Sequence, residues 1–176
     1  MITVLQEFWA RVGMLRCPVG LMLFKAEQLG MLAEVAARCS ANIADFRQFA
    51  RQWMGGSRYT GFTPDTLLAI LREIQNSGHP RKCIVSNLDL AIARLRLADR
   101  TRFWSALVSQ VTPNSKTTIA LSMPDEETAM HLLPPANTLK EWIDTGRALR
   151  ISPPPLSRAI LSPETRSEAY ADQRTH

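Results

Sequence analysis

The run Val19-Gly20-Leu21-Met22-Leu23-Phe24, closed by Lys25 and Glu27, is the most apolar window of the chain, and how it is read decides the fold. It falls far short of the roughly 20 apolar residues that a membrane span needs. Pro18 in front of it suits the first turn of a helix, where its missing N–H would have had no partner anyway. We therefore read Val19–Arg38 as a helix, too apolar at its start for a surface position and so placed at the centre of the core.

Working outward toward the N-terminus, Thr3 can cap a first helix whose Leu5, Phe8, Trp9 and Val12 fall at the i, i+3, i+4, i+7 spacing of one buried face. No basic n-region precedes an apolar stretch in Met1–Ala10, and Glu7 interrupts the apolar residues, so a secretory signal is not expected. In the other direction, Asn42 is read as the cap of a third helix with Ile43, Phe46, Phe49, Ala50 and Trp53 inward, ended by Gly55-Gly56. The fourth helix has the clearest punctuation: Thr63 as cap, Pro64 in the first turn, a stripe of Leu67, Leu68, Ile70, Leu71 and Ile74, and Gly78 after the end. A fifth is read from Ser86, with Asp89 three residues on and Leu88, Ala91, Ile92 and Leu95 as its apolar face.

After Phe103 the pattern admits two readings. Leu107 and Val111, then Ile119, Leu121 and Met123, alternate across the turn Pro113-Asn114-Ser115-Lys116 as a β-hairpin would. Alternatively Arg100–Val111 is helical, and Thr117–Met123 is the single strand. A short acidic helix at Asp125–Leu133 and a capping-box helix from Thr138 and Glu141 follow. Beyond Ser152, Pro153-Pro154-Pro155 and a polar end are the composition of a disordered tail. The expected fold is thus mainly α: one helical domain over 1–151 with a small β-hairpin or single strand, in the winged-helix order of elements, and a disordered tail over 152–176.

Composition bounds the function. Residues 55–116 hold nine Lys/Arg against four Asp/Glu, a net +5, while 1–54 carry +2 and 117–176 carry −2. A basic segment that coincides with a helical scaffold favours a surface that meets an acidic partner. The three cysteines, Cys17, Cys39 and Cys83, are odd in number and widely spaced, which supports neither a disulfide framework nor a zinc site and points to a reducing, cytoplasmic compartment.

No catalytic, metal or cofactor motif stands out. His79, Arg81, Lys82 and Cys83 suggest a metal or an activated thiolate, but two ligands do not make a zinc site, and a loop histidine beside a semi-buried cysteine is the simpler reading. Gly55-Gly56-Ser57-Arg58 and Ser115-Lys116-Thr117-Thr118 both lack the layout of a phosphate loop. Asp125, Glu126 and Glu127, after Pro124, read as dipole partners of a helix start rather than as magnesium ligands. Only His79, His131 and His176 are available as bases, and no nucleophile elbow surrounds a serine. Trp9, Trp53, Trp104 and Trp142 sit on separate elements and are read as core.

The leading expectation is a non-enzymatic, nucleic-acid-associated factor, a DNA-binding regulator or an accessory subunit, that docks through Arg81, Lys82, Arg94, Arg96, Arg100 and Arg102. The joint between helices four and five, about ten residues over 76–85, is long for a helix-turn-helix, which uses three or four, and fits only a form with an extra short strand or turn at Lys82–Val85. The alternative is a structural adaptor of a protein assembly, and the third reading is an enzyme without a recognisable motif. Solvent-facing, clustered arginines would favour the first. An exposed apolar patch around Val19–Phe24 would favour the second, and a deep pocket holding His79, His131 or Asp125 the third.

Overall fold

The computed structural model describes residues 2–55, 61–77, 81–111 and 115–151. The expected tail from 152, His79 and the tip of the expected hairpin turn lie outside these residues. The mainly helical expectation is overturned by a five-stranded sheet in which every pairing is parallel, in the order β2-β3-β4-β1-β5. Its strands are β1 (Val19–Phe24), β2 (Asn42–Asp45), β3 (Lys82–Ser86), β4 (Thr118–Pro124) and β5 (Ala148–Arg150). The helices between them are α1 (Ile2–Gly13), α2 (Leu32–Cys39), α3 (Phe46–Trp53), α4 (Pro64–Asn76), α5 (Asp89–Ile92), α6 (Leu97–Gln110) and α7 (Ala136–Asp144). This is an α/β arrangement, with 3-10 turns at Ala26–Met31 and Glu127–Leu132.

Val19–Phe24 is therefore the central strand and not the start of a helix. A parallel strand covered on both faces reads as a continuous apolar run, because every side chain is buried whichever way it points. All six residues of β1 are buried. The side chains divide by parity: Leu21 and Leu23 join Cys83, Val85, Ile119, Leu121 and Met123 on one face. Met22 and Phe24 join Ile84 and Ala120 on the other. Gly20 lies where α1 crosses the sheet, and a Cβ there would meet Phe8 Cζ and Val12 Cγ2, each at 2.7 Å.

The strand order explains which helix covers which face. The connection from β1 to β2 runs toward one edge, whereas those from β2 through β3 and β4 to β5 run the other way. With right-handed crossovers, the reversed connection must lie on the opposite face. Val35, Ala36 and Cys39 of α2 indeed pack with Leu5, Phe8, Trp9 and Val12 of α1 on one face, while α3, α4, α6 and α7 cover the other. Arg147 staples β5 to β1, donating from Nε to Val19 O (3.0 Å) and from Nη2 to Cys17 O (3.3 Å) while lying over the Trp142 ring.

Other expectations meet mixed outcomes. The face of α1 is buried as expected, although the helix begins before Thr3. Thr63 Oγ1 accepts from the N–H of Thr66 and caps α4, whose five-residue stripe is buried. Asn42 begins β2, and the cap of α3 is Asp45. The fifth helix read from Ser86 holds in part: Ser86 itself ends β3, helix α5 is only Asp89–Ile92, and the expected face of Leu88, Ala91, Ile92 and Leu95 is buried. Among the described residues there is no hairpin: residues 97–110 are helical, and β4 pairs in parallel with β3 and β1, so the winged-helix order fails. The acidic helix at 125–133 is a 3-10 turn, and α7 starts two residues before Thr138. Trp53 is 49% exposed, whereas the other three tryptophans are buried.

Candidate functional site

In a parallel sheet all strands end at one edge, and ligands of open α/β folds bind outside the carboxyl ends where neighbouring strands send their connections to opposite faces. Here that point lies between β1 and β4. The protein fills it with its own side chains. Glu126 Oε1 accepts from the N–H of Ala26 at 2.8 Å, and Asp125 pairs with Arg150 at 3.1 Å, its own N–H donating to Phe24 O. Gln28 folds back beside them, its Oε1 accepting from the N–H of Lys25 at 3.0 Å. Asp125 and Glu126 are thus engaged in closing the sheet edge, Glu127 is exposed, and no cluster of three or more potential metal ligands is found among the described residues.

The concavity at this edge sits instead beyond β2 and β3. Asp45 ends β2, and Asn87 follows β3, both placed by the register that sets Asp45 opposite Ser86. Asn87 adopts a left-handed backbone (φ 61°), which asparagine tolerates better than most residues. Its Nδ2 donates to Asp45 Oδ1 at 3.0 Å and to Ser86 Oγ at 3.4 Å. The same carboxylate caps α3 through the N–H of Arg47 and takes its guanidinium at 2.7–3.2 Å. Around this hub lies a cup of about 160 Å³. Buried Phe46 and Ala91 with half-buried Phe62 form its apolar floor, and exposed Leu90 completes a wall. Arg47, held by Asp45, and Arg51 and Arg94 line it from exposed positions.

The hydrogen bonds from Arg47 hold the Asp45 carboxyl below the usual carboxylate range, against the opposing effect of burial. A depressed folded-state pKa means stability that is present above the unfolded value of about 3.9 and is lost as pH falls through the folded one. The stability advantage of wild type over Asp45→Asn is expected to shrink progressively below about pH 4, as followed by urea unfolding at a series of pH values. A constant difference across that range would refute the ionic role of Asp45.

The expected binding set does not form one surface. Arg94 lines the cup, and Arg96 is exposed just before α6. Arg81 and Lys82 stand at the amino end of β3, across the sheet from the cup, with Lys82 Nζ donating to Cys39 O. Arg102 makes an exposed pair with Asp65 at 3.2 Å. Arg100 is turned inward: its Nε donates to the carbonyls of Ile92 and Leu95, Nη2 to Ala93 and Nη1 to His131. In the acidic segment 125–127, Asp125 is taken by Arg150.

Arg47 and Arg51 escaped notice in the sequence because their region carries little net charge, although they stand one helical turn apart on α3. Asn87 escaped because its position depends on β3. Cys83 is fully buried and its thiol is pushed up to about 11 by burial, the reverse of an activated thiolate. His131 lies in a separate groove of about 420 Å³ walled by Leu97, Met130, Leu133, Pro134 and Pro135, with no carboxylate or thiol among the described residues that line it. The Val19–Phe24 run, as a buried strand, offers no apolar patch.

No protein-family model matches the chain, and neither a curated protein nor a solved structure matches it closely enough to indicate kinship. Among the described residues no helix is long and apolar enough to cross a membrane.

Proposed function

We propose that this protein is a non-enzymatic, nucleic-acid-associated factor that docks on the phosphodiester backbone through the Arg47–Arg51–Arg94 cup. The observation that carries the reading is the convergence of three guanidinium groups from α3 and the segment after α5 on one concavity at the carboxyl edge of the sheet. Guanidinium matches phosphate geometry through paired N–H donors and keeps its charge at any physiological pH. The Asp45–Asn87 hub fixes Arg47, so part of the ordering cost is met before a ligand arrives. The net charge of +5 adds long-range attraction for a polyanion.

The test is binding of a labelled oligonucleotide across a salt series by wild type and by Arg51→Ala/Arg94→Ala. We expect the double variant to bind on the order of tenfold more weakly and to lose about one unit of log–log salt slope per arginine. A slope identical to wild type would move the interface elsewhere. No binding to any oligonucleotide at low salt would remove the nucleic-acid reading.

A second reading, a structural adaptor, draws on the separate groove around Leu97 and Met130, whose side chains are 72% and 42% exposed. Apolar side chains held so open are the kind of surface that an assembly partner covers. Binding there would be nearly indifferent to salt, which separates the two readings.

A further inference from the structure

Resting on the nucleic-acid reading above, we infer that the cup takes one unpaired base of a single strand while its arginines hold the adjoining phosphates. Three features of the site lead there. Its size is the first: pockets that enclose a whole small ligand span roughly 300–1,000 Å³. At about 160 Å³ the cup is too small for that, and suits one group projecting from a longer molecule.

Its chemistry is the second. Phe46 and Ala91 at its floor belong to the core, and the apolar surface left open to a ligand is that of half-buried Phe62 and exposed Leu90, which a purely electrostatic site would not need. A nucleotide presents in every repeat both an anion and a flat ring with an apolar face, and such rings stack on aromatic side chains and on guanidinium planes. In a duplex the rings are paired and stacked inside, so only the charged rim would be engaged.

The third is Asn87. Its Nδ2 is committed to Asp45 and Ser86, so what it can offer a ligand is the acceptor Oδ1. An amide oxygen suits an N–H on a base edge and disfavours the carboxylate of an acidic peptide, which has no donor to give.

The experiment uses the unaltered protein and four labelled probes: a ten-nucleotide thymidine strand, an abasic strand with the same number of phosphates, a duplex of the same length and a ten-residue glutamate peptide. The thymidine strand is expected to bind at least fivefold more tightly than the abasic strand, with the same salt slope, since stacking one base adds affinity without adding charge. Leu90→Ala, a change at an exposed wall position, is expected to narrow that gap. Equal binding of the thymidine and abasic strands, or a duplex bound as tightly as the strand, would overturn the base seat and leave phosphate docking standing. A glutamate peptide bound more tightly than any nucleic acid would overturn both, and so would a failure of every nucleic acid to bind at low salt.

Discussion

Trp104→Ala is expected to cost about 3–5 kcal/mol, the usual range for emptying a buried aromatic site. Trp104 is 2% exposed and packs edge-on against both Phe103 and Trp142, with ring centroids 5.0 and 6.0 Å away. Its Nε1 donates to Leu132 O at 3.1 Å. One side chain therefore holds α6, the 3-10 turn before α7 and α7 itself. Removing it leaves both a cavity and a buried carbonyl without its donor. Trp104→Phe keeps much of the packing and loses the N–H, so its cost should be smaller, about 1–3 kcal/mol. Urea midpoints of the two variants check this; equal losses would mean that packing contributes little and the hydrogen bond nearly everything.

Arg100→Ala is expected to lower stability by about 2 kcal/mol while leaving oligonucleotide affinity of the folded fraction within twofold. The side chain satisfies carbonyls at the end of α5 and reaches the backbone of His131, so it ties the β3–α6 connection to the segment after β4. Those last carbonyls of a helix have no partner within the helix, and a guanidinium spreads several donors over them. A lysine has one ammonium and cannot span the same set, so Arg100→Lys should rescue poorly. Arg51→Ala/Arg94→Ala should show the opposite pattern, with affinity lost and stability nearly kept. A result in which Arg100→Ala unfolds at the wild-type midpoint yet fails to bind would return Arg100 to the interface.

That pair of variants marks where linear reading reaches its limit. Arg94, Arg96, Arg100 and Arg102 alternate with other residues in a way that suggests one basic face. The chain bends between α5 and α6, and each arginine then faces a different environment. The missing members, Arg47 and Arg51, come from about forty residues earlier, brought in by the pairing of β2 with β3. Nothing local to residues 42–53 shows that pairing, and Asn42–Asp45 is too short and too mixed to announce an edge strand.

By itself the sequence determined what depends on neighbours along the chain. The buried faces of α1 and α4 follow from their apolar spacing, the start of α4 from Thr63 and Pro64, and the depth of Val19–Phe24 from its composition. Only the tertiary structure decided that this run is a strand, and chose the strand over the turn at Lys82–Val85. A fully buried parallel strand has no polar face, so its pattern carries no period to tell it from a core helix. The hydrogen bonds that make it a strand come from residues a hundred or more positions away, as in the pairings of Val19 with Ile119 and of Leu21 with Ala148. Those same distant pairings set Asp45 beside Asn87, and so created the cup.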